Sequence, residues 1–382
     1  MSHRTVCLAA VAALALAPDL SPAGEQPPPQ LALVIRPVGD TFKAGDPIPI
    51  EFIITNTGNA DYVYMDRNYD RSGRMQEYEL HARDADGNAV PDPRASWPGG
   101  PGGGLSTDGT LKPGDAFTKT IDLNRWALVT QPGTYTIVGV YHTRPFRQED
   151  AESVRSAPIT VTVGPRSDAE MDALIRSLST QLATAEDENQ KRLVRHLMYT
   201  CDPRIVPALV RSMYAGGDGF WEAEAFIYYL PRTPEVQDAV YGEARRRGMT
   251  TNMPYIFNRW GLEAQKMRTV VEASLASDRP AAWQAGALLA HQYPSDAFVP
   301  RLIQLATEKT KGAWETAVFA LALHRTDAGV AALKRLLESP DPRVRDRVRF
   351  AVRVAYTSRG NAGGRPLKPD DFPKDLQEPQ AP

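Results

Sequence analysis

Asp66, Asn68 and Asp70 put oxygen-bearing side chains at alternate positions, and Glu77 follows eleven residues after Asp66. Alternating oxygens plus a distant bidentate carboxylate is how a loop wraps a hard cation such as calcium. The sixth position, where such a loop needs glycine to turn, is Arg71, and the flanks read as strands, so a solvated hairpin is the plainer expectation. Trp97 lies in Pro91–Gly104, a proline- and glycine-rich stretch long enough to be functional or structureless, and an exposed indole there is a candidate anchor for a partner. Tyr62, Tyr64, Tyr69 and Tyr78 offer rings that could stack on sugar, although strands favour tyrosine on packing grounds alone. Near the C-terminus Arg345, Arg349 and Arg353 recur at helical spacing and form a cationic stripe suited to an acidic surface. A polar outer face on the last unit of an array explains the same stripe.

Other reaction chemistry has little raw material. There is no Gly-x-Ser-x-Gly, no glycine loop with lysine for phosphate, no His-Glu-x-x-His and no Cys-x-x-Cys. His196, His291 and His324 fall out of register with one another and do not predict a metal site. No cofactor is implied. The 382 residues carry a net charge of −2 and are 42% hydrophobic, which speaks against both a nucleic-acid binder and a disordered chain.

The elements that would position these side chains fall into five segments. His3-Arg4, the apolar run Val6 to Ala17 and Ser21-Pro22-Ala23 before Gly24 read as a secretory signal peptide over 1–23, too short for a membrane span. The expected product is exported, periplasmic or extracellular. Cys7 would leave with that peptide, and Cys201 alone would remain, which excludes an internal disulfide. Residues 24–30 form a proline-rich linker, and 358–382 read as a disordered tail.

Over 31–164, seven stretches alternate at strand period: 31–35, 48–55, 62–65, 77–82, 117–123, 134–141 and 159–163. Gly- and Pro-bearing turns separate them, which predicts an antiparallel β-sandwich. Gly45-Asp-Pro-Ile48, Thr55-Asn-Thr-Gly58 and Pro132-Gly-Thr-Tyr135 resemble phrases of secreted bacterial immunoglobulin-like sandwiches.

Over 165–357 the period becomes helical. Trp221-Glu-Ala-Glu-Ala-Phe226, Trp283-Gln-Ala-Gly-Ala-Leu288 and Trp314-Glu-Thr-Ala-Val-Phe319 repeat one phrase at steps of 62 and 31 residues. That step predicts an α-solenoid of about six helix pairs. The three tryptophans are expected to pack between repeats. Asp202-Pro-Arg and Asp341-Pro-Arg resemble the start phrases of HEAT repeats, and of the similar bilin-lyase-type repeats, with Asp capping and Pro in the first turn. Residues 234–260 depart most from the pattern and mark a bend or a specialised surface.

The repeat period and the missing catalytic motifs point to a non-catalytic binding or scaffold protein whose groove takes a protein or peptide partner. Three alternatives remain open at this stage: recognition of carbohydrate or an envelope polysaccharide by the sandwich, proteinase inhibition by one of its loops, and a lyase-like activity by analogy with the bilin-lyase repeats.

Overall fold

A computed structural model describes residues 30–67, 74–75, 77–95, 106–143, 152–215, 219–308, 312–357 and 367–377, with backbone alone at 66–67 and 106–107. Trp97, Asn68, Tyr69, Asp70, the leader and most of the linker lie outside these residues. The chain is β-sheet in its N-terminal part and α-helical in its C-terminal part.

The strands are β1 (Leu31–Pro37), β2 (Phe42–Lys43), β3 (Pro49–Asn56), β4 (Tyr62–Arg67), β5 (Tyr78–Arg83), β6 (Ser106–Leu111), β7 (Ala116–Asp122), β8 (Gly133–His142), β9 (Ser153–Arg155) and β10 (Ile159–Gly164). They form a β1-β3-β7 sheet, a β2-β10-β8-β5 sheet with β9 on β8, and a β4-β6 pair. Alternation decides the inner face: Ile50, Phe52 and Ile54 of β3 are buried, and Leu33 and Ile35 of β1 join them. Gly139 of β8 is where the two larger sheets approach, since a Cβ there would sit 2.6 Å from Ile35 Cγ2.

All seven expected stretches are strands. The pairing is not wholly antiparallel, however: β2 runs parallel to β10, with Phe42 opposite Val163. The turn at Lys43–Asp46 leads on to β3, and the Ala44 N–H extends the ladder to the Gly164 carbonyl at 3.1 Å. The tyrosines also need correcting as a sugar-stacking surface. Tyr62 and Tyr78 are buried, Tyr62 Oη lies 3.2 Å from Tyr141 Oη, and Tyr64 stacks on Phe117 at 4.1 Å. They are packing residues, because inward positions of a pleat take large β-formers.

The helices are α1 (Asp168–Leu182), α2 (Asp187–Tyr199), α3 (Val206–Ala215), α4 (Phe220–Glu224), α5 (Pro234–Arg247), α6 (Met253–Trp260), α7 (Ala264–Ala276), α8 (Pro280–Ala290), α9 (Val299–Thr307), α10 (Trp314–His324), α11 (Asp327–Leu337) and α12 (Pro342–Thr357). Odd-numbered helices pack on one another in succession, and so do even-numbered ones, giving two rows over one continuous core. The caps are written in the sequence. Ser167 and Glu170 form a reciprocal capping box on α1. Asp202 Oδ1 accepts from the Arg204 N–H at 2.9 Å, and Asp341 Oδ1 accepts from the Arg343 N–H at 2.9 Å, so both Asp-Pro-Arg phrases do the same work.

One local feature has no sequence signal. Ala225–Tyr229 continues α4 as a π-helical turn, closed by the Leu230 N–H on the Ala225 carbonyl at 2.9 Å. This turn meets the β-part. Tyr229 Oη donates to the Asn124 carbonyl at 3.3 Å, and Tyr199 Oη donates to Asp122 Oδ2 at 2.9 Å. Glu224 Oε1 receives Arg125 Nη2 at 3.3 Å and Arg94 Nη1 at 3.5 Å, all three side chains being buried. A second contact sits beside it: Arg166 pairs with Asp46 at 2.5 Å. Gly45, at φ +88°, lets its turn close on Thr200 and Met171, where a Cβ would come within 3.4 Å of Thr200 Cα.

The tail is not structureless throughout. Residues 367–377 return to the last helices, and Phe372 and Leu376 are buried in the helical core. Two apolar side chains in a proline-rich, charged stretch give no periodicity, so only the exposed end of the array explains their burial.

Candidate partner-binding surface

The three phrase tryptophans are half-buried against the helical core, as repeat packing requires. Two of them also carry a cation or a hydrogen bond. Trp283 Nε1 donates to the Ser277 carbonyl and lies under Arg301, while Trp221 lies under Arg125 and Arg195 at the junction with the sheets.

The end of the phrase behaves differently. Phe226, Phe257, Leu288, Phe319 and Phe350 are spaced by 31 residues throughout. The first two are buried; Leu288 is 41% exposed, Phe319 is half-buried and Phe350 is 51% exposed. Equivalent positions on α8, α10 and α12 therefore turn one apolar side chain each to solvent, on three helices that pack in sequence. Phe319 and Phe350 touch edge to face, with centroids 5.7 Å apart. Arg347 lies 4.6 Å over Phe319 and 5.7 Å over Phe350, and is paired with Glu315 at 3.2 Å. On α6 the exposed ring is Tyr255, two residues before Phe257, so the row is broken at the unit that departs from the pattern.

This row was legible in principle. Carrying the 31-residue step once past Phe319 lands on Phe350, but Arg345 stands where the phrase would have tryptophan and hides the match.

The arginine stripe needs redrawing for the same reason. Arg345 donates to the Ser339 and Pro340 carbonyls at 2.6 and 3.0 Å and pins the start of its own helix. Arg349 pairs with Asp346 at 3.3 Å, and Arg353 is half-buried. Around Phe350 the helical period instead gathers Arg343, Arg347 and Arg353, at −7, −3 and +3.

The remaining candidates fall largely outside the described side chains. Asn68, Asp70 and Trp97 lie outside the described residues, and the backbone alone is described at Asp66. Glu77 is buried, with its carbonyl accepting the His142 N–H at 2.7 Å. Among the described residues no three His, Cys, Asp or Glu side chains cluster as metal ligands. Burial pushes the Cys201 thiol up to about 12, so it is protonated at neutral pH and a poor nucleophile. A hollow of about 570 Å³ lies where α1, α2 and α3 meet, but the polar chain at its wall closes on itself, Gln190 donating to Ser212 and Ser212 to Glu222. No helix among the described residues is long and apolar enough to cross a membrane.

His196, His291 and His324 stay apart as sites. His324 is fully buried; its Nε2 accepts the Ser295 N–H at 2.8 Å, and its Nδ1 lies 3.0 Å from Thr326 Oγ1. Burial lowers its pKa below the usual 6.5, against the opposing pull of Asp296. Below pH 6.5 the unfolded chain therefore binds more protons than the native one. Stability is complete above that pH and falls as pH drops through the window beneath it, by at most about 1.4 kcal/mol per unit. Thermal unfolding between pH 7.5 and 5 should show this slope, and His324→Gln should flatten it.

No family model and no curated protein matches the chain. Among solved structures, a β-glucuronidase of Bacteroides uniformis is similar over 63% of this chain, at 11% identity and a TM-score of 0.16. The chain spans about a third of that enzyme's length, 32%. At that score the likeness carries no inference about fold or activity.

Proposed function

We propose that this is an exported, non-catalytic binding or scaffold protein, an immunoglobulin-like sandwich followed by an α-solenoid of six HEAT-like units. Its even-numbered helices engage a protein or peptide partner. The observation that carries the reading is the row Leu288, Phe319 and Phe350. A position repeated at 31 residues should be buried in every unit if it served packing alone, and here it is exposed at Leu288 and Phe350 and half-buried at Phe319 between them. Large apolar side chains aligned and exposed on one face mark an interaction surface. The sandwich, fixed to the array through Glu224 and Asp46, sets the orientation of that surface.

The test uses affinity capture from the organism's envelope fraction with the full chain and with Leu288→Ser/Phe350→Ser. Because these side chains are exposed, the double variant should unfold within about 1 kcal/mol of wild type. Yet it should lose its specific protein. Retention of the same protein by the double variant would remove the row as the site.

A further inference from the structure

The charge around the row specifies what it takes. The helices α8, α10 and α12 hold five arginines against Asp346 and Glu315, a surplus of three positive charges in a chain whose net charge is −2. All five arginines are on α12, and α8 has no charged side chain. Arg345 and Arg349 turn away from Phe350, whereas Arg343, Arg347 and Arg353 share its face with Asp346, whose carboxylate is taken by Arg349 at 3.3 Å. Glu315 answers Arg347. Among the described residues no carboxylate forms an ion pair with Arg343 or Arg353. The result is an apolar strip, two side chains of which form an edge-to-face pair, flanked at its α12 end by guanidinium groups.

Geometry narrows the occupant. Packed helices lie about 8–10 Å apart, so successive members of the row advance by that step. A helix laid across α8, α10 and α12 presents side chains seven residues apart at about 10.5 Å. Its apolar residues at that spacing would fall between Leu288, Phe319 and Phe350, while carboxylates on its flanks would meet Arg343 and Arg353.

We infer that the row is a docking site for an acidic amphipathic helix of a partner protein, with apolar residues seven apart. This rests on the proposed binding role of the array and adds the partner's chemistry to it. Arg347, held over both rings and paired with Glu315, fixes the Phe319–Phe350 pair in place and leaves Arg343 and Arg353 to meet the partner's carboxylates.

The probes are two synthetic helical peptides of the same length with leucine every seventh residue, one with glutamate and one with lysine on the flanks. Fluorescence anisotropy with the full chain should give a dissociation constant at least about tenfold lower for the glutamate peptide. Its affinity should fall as salt rises. Arg343→Glu, at an exposed position, should reduce or remove that preference without moving the unfolding midpoint, and Leu288→Ser/Phe350→Ser should weaken both peptides. Equal binding of the two peptides, independent of salt, would overturn the acidic class and leave an apolar docking surface standing. No binding of either peptide, or binding unchanged by Leu288→Ser/Phe350→Ser, would overturn the site itself.

Discussion

Glu224→Ala should destabilise the protein by about 3–5 kcal/mol and split its unfolding into two transitions. Glu224 is 3% exposed, and Arg94 and Arg125, each 5% exposed, both reach its Oε1. Burial alone would disfavour the Arg125 cation, but Glu224, with Tyr199, Tyr229 and Asp122 behind it, outweighs burial and holds its pKa above the usual value. Removing the carboxylate leaves two guanidinium groups buried between the sheets and the helices, and neither can be rehydrated while the two parts stay docked. Stacking does not replace the lost charge: Arg125 over Trp221 and Arg94 over Tyr228 contribute about 1–2 kcal/mol each at most. Calorimetry on wild type and Glu224→Ala would show the effect as a lower, divided transition. Glu224→Gln, which keeps the shape and one acceptor, should fall between them. An unchanged single transition for Glu224→Ala would mean that the ion cluster does not hold the two parts together.

The second large effect belongs to the tail. Phe372→Ala should cost about 3 kcal/mol, the low end for a buried phenylalanine, and a chain ending at 357 should lose at least as much and aggregate. Phe372 is 4% exposed and Leu376 2%. Phe372 meets Tyr356 edge to face at 6.4 Å and has Lys334 6.0 Å from its ring centre. The segment is tied down by Tyr356 Oη donating to the Lys368 carbonyl at 2.8 Å and by Asp371 Oδ2 accepting the Lys368 N–H at 2.7 Å. The last helices would otherwise leave an apolar face open to water, and 367–377 covers it. Hydrogen exchange should show α11 and α12 losing protection first in the truncated chain. Retention of the wild-type midpoint after truncation would mean that this cover contributes nothing.

The helical part was readable because every device in it is local and repeated. Asp-Pro-Arg caps, proline at first turns and a 31-residue step each predict a boundary independently, and α5, α8 and α12 begin at Pro234, Pro280 and Pro342. The strands of the N-terminal part were readable where alternation was strong. β6, Ser-Thr-Asp-Gly-Thr-Leu, was not, since it is held by pairing with β4 and by Tyr64 lying over Gly109, neither of which leaves a periodic mark. The junction was unreadable for a similar reason. Arg94, Arg125 and Glu224 are ordinary charged residues in sequence, and only their meeting across 99 to 130 positions gives them a role. The apolar row lay between these cases: its period is in the sequence, but its exposure depends on how α8, α10 and α12 stack.

Partner contact should fall on the row of α8, α10 and α12. Photo-reactive benzoylphenylalanine placed singly at 288, 319 and 350, and for comparison at the exposed Val34 and Val63 of the sheets, tests it directly. After irradiation in the envelope fraction, one partner species should be cross-linked from 288, 319 and 350 and not from 34 or 63. Cross-links confined to 34 and 63 would contradict the account and move the binding site to the β-part.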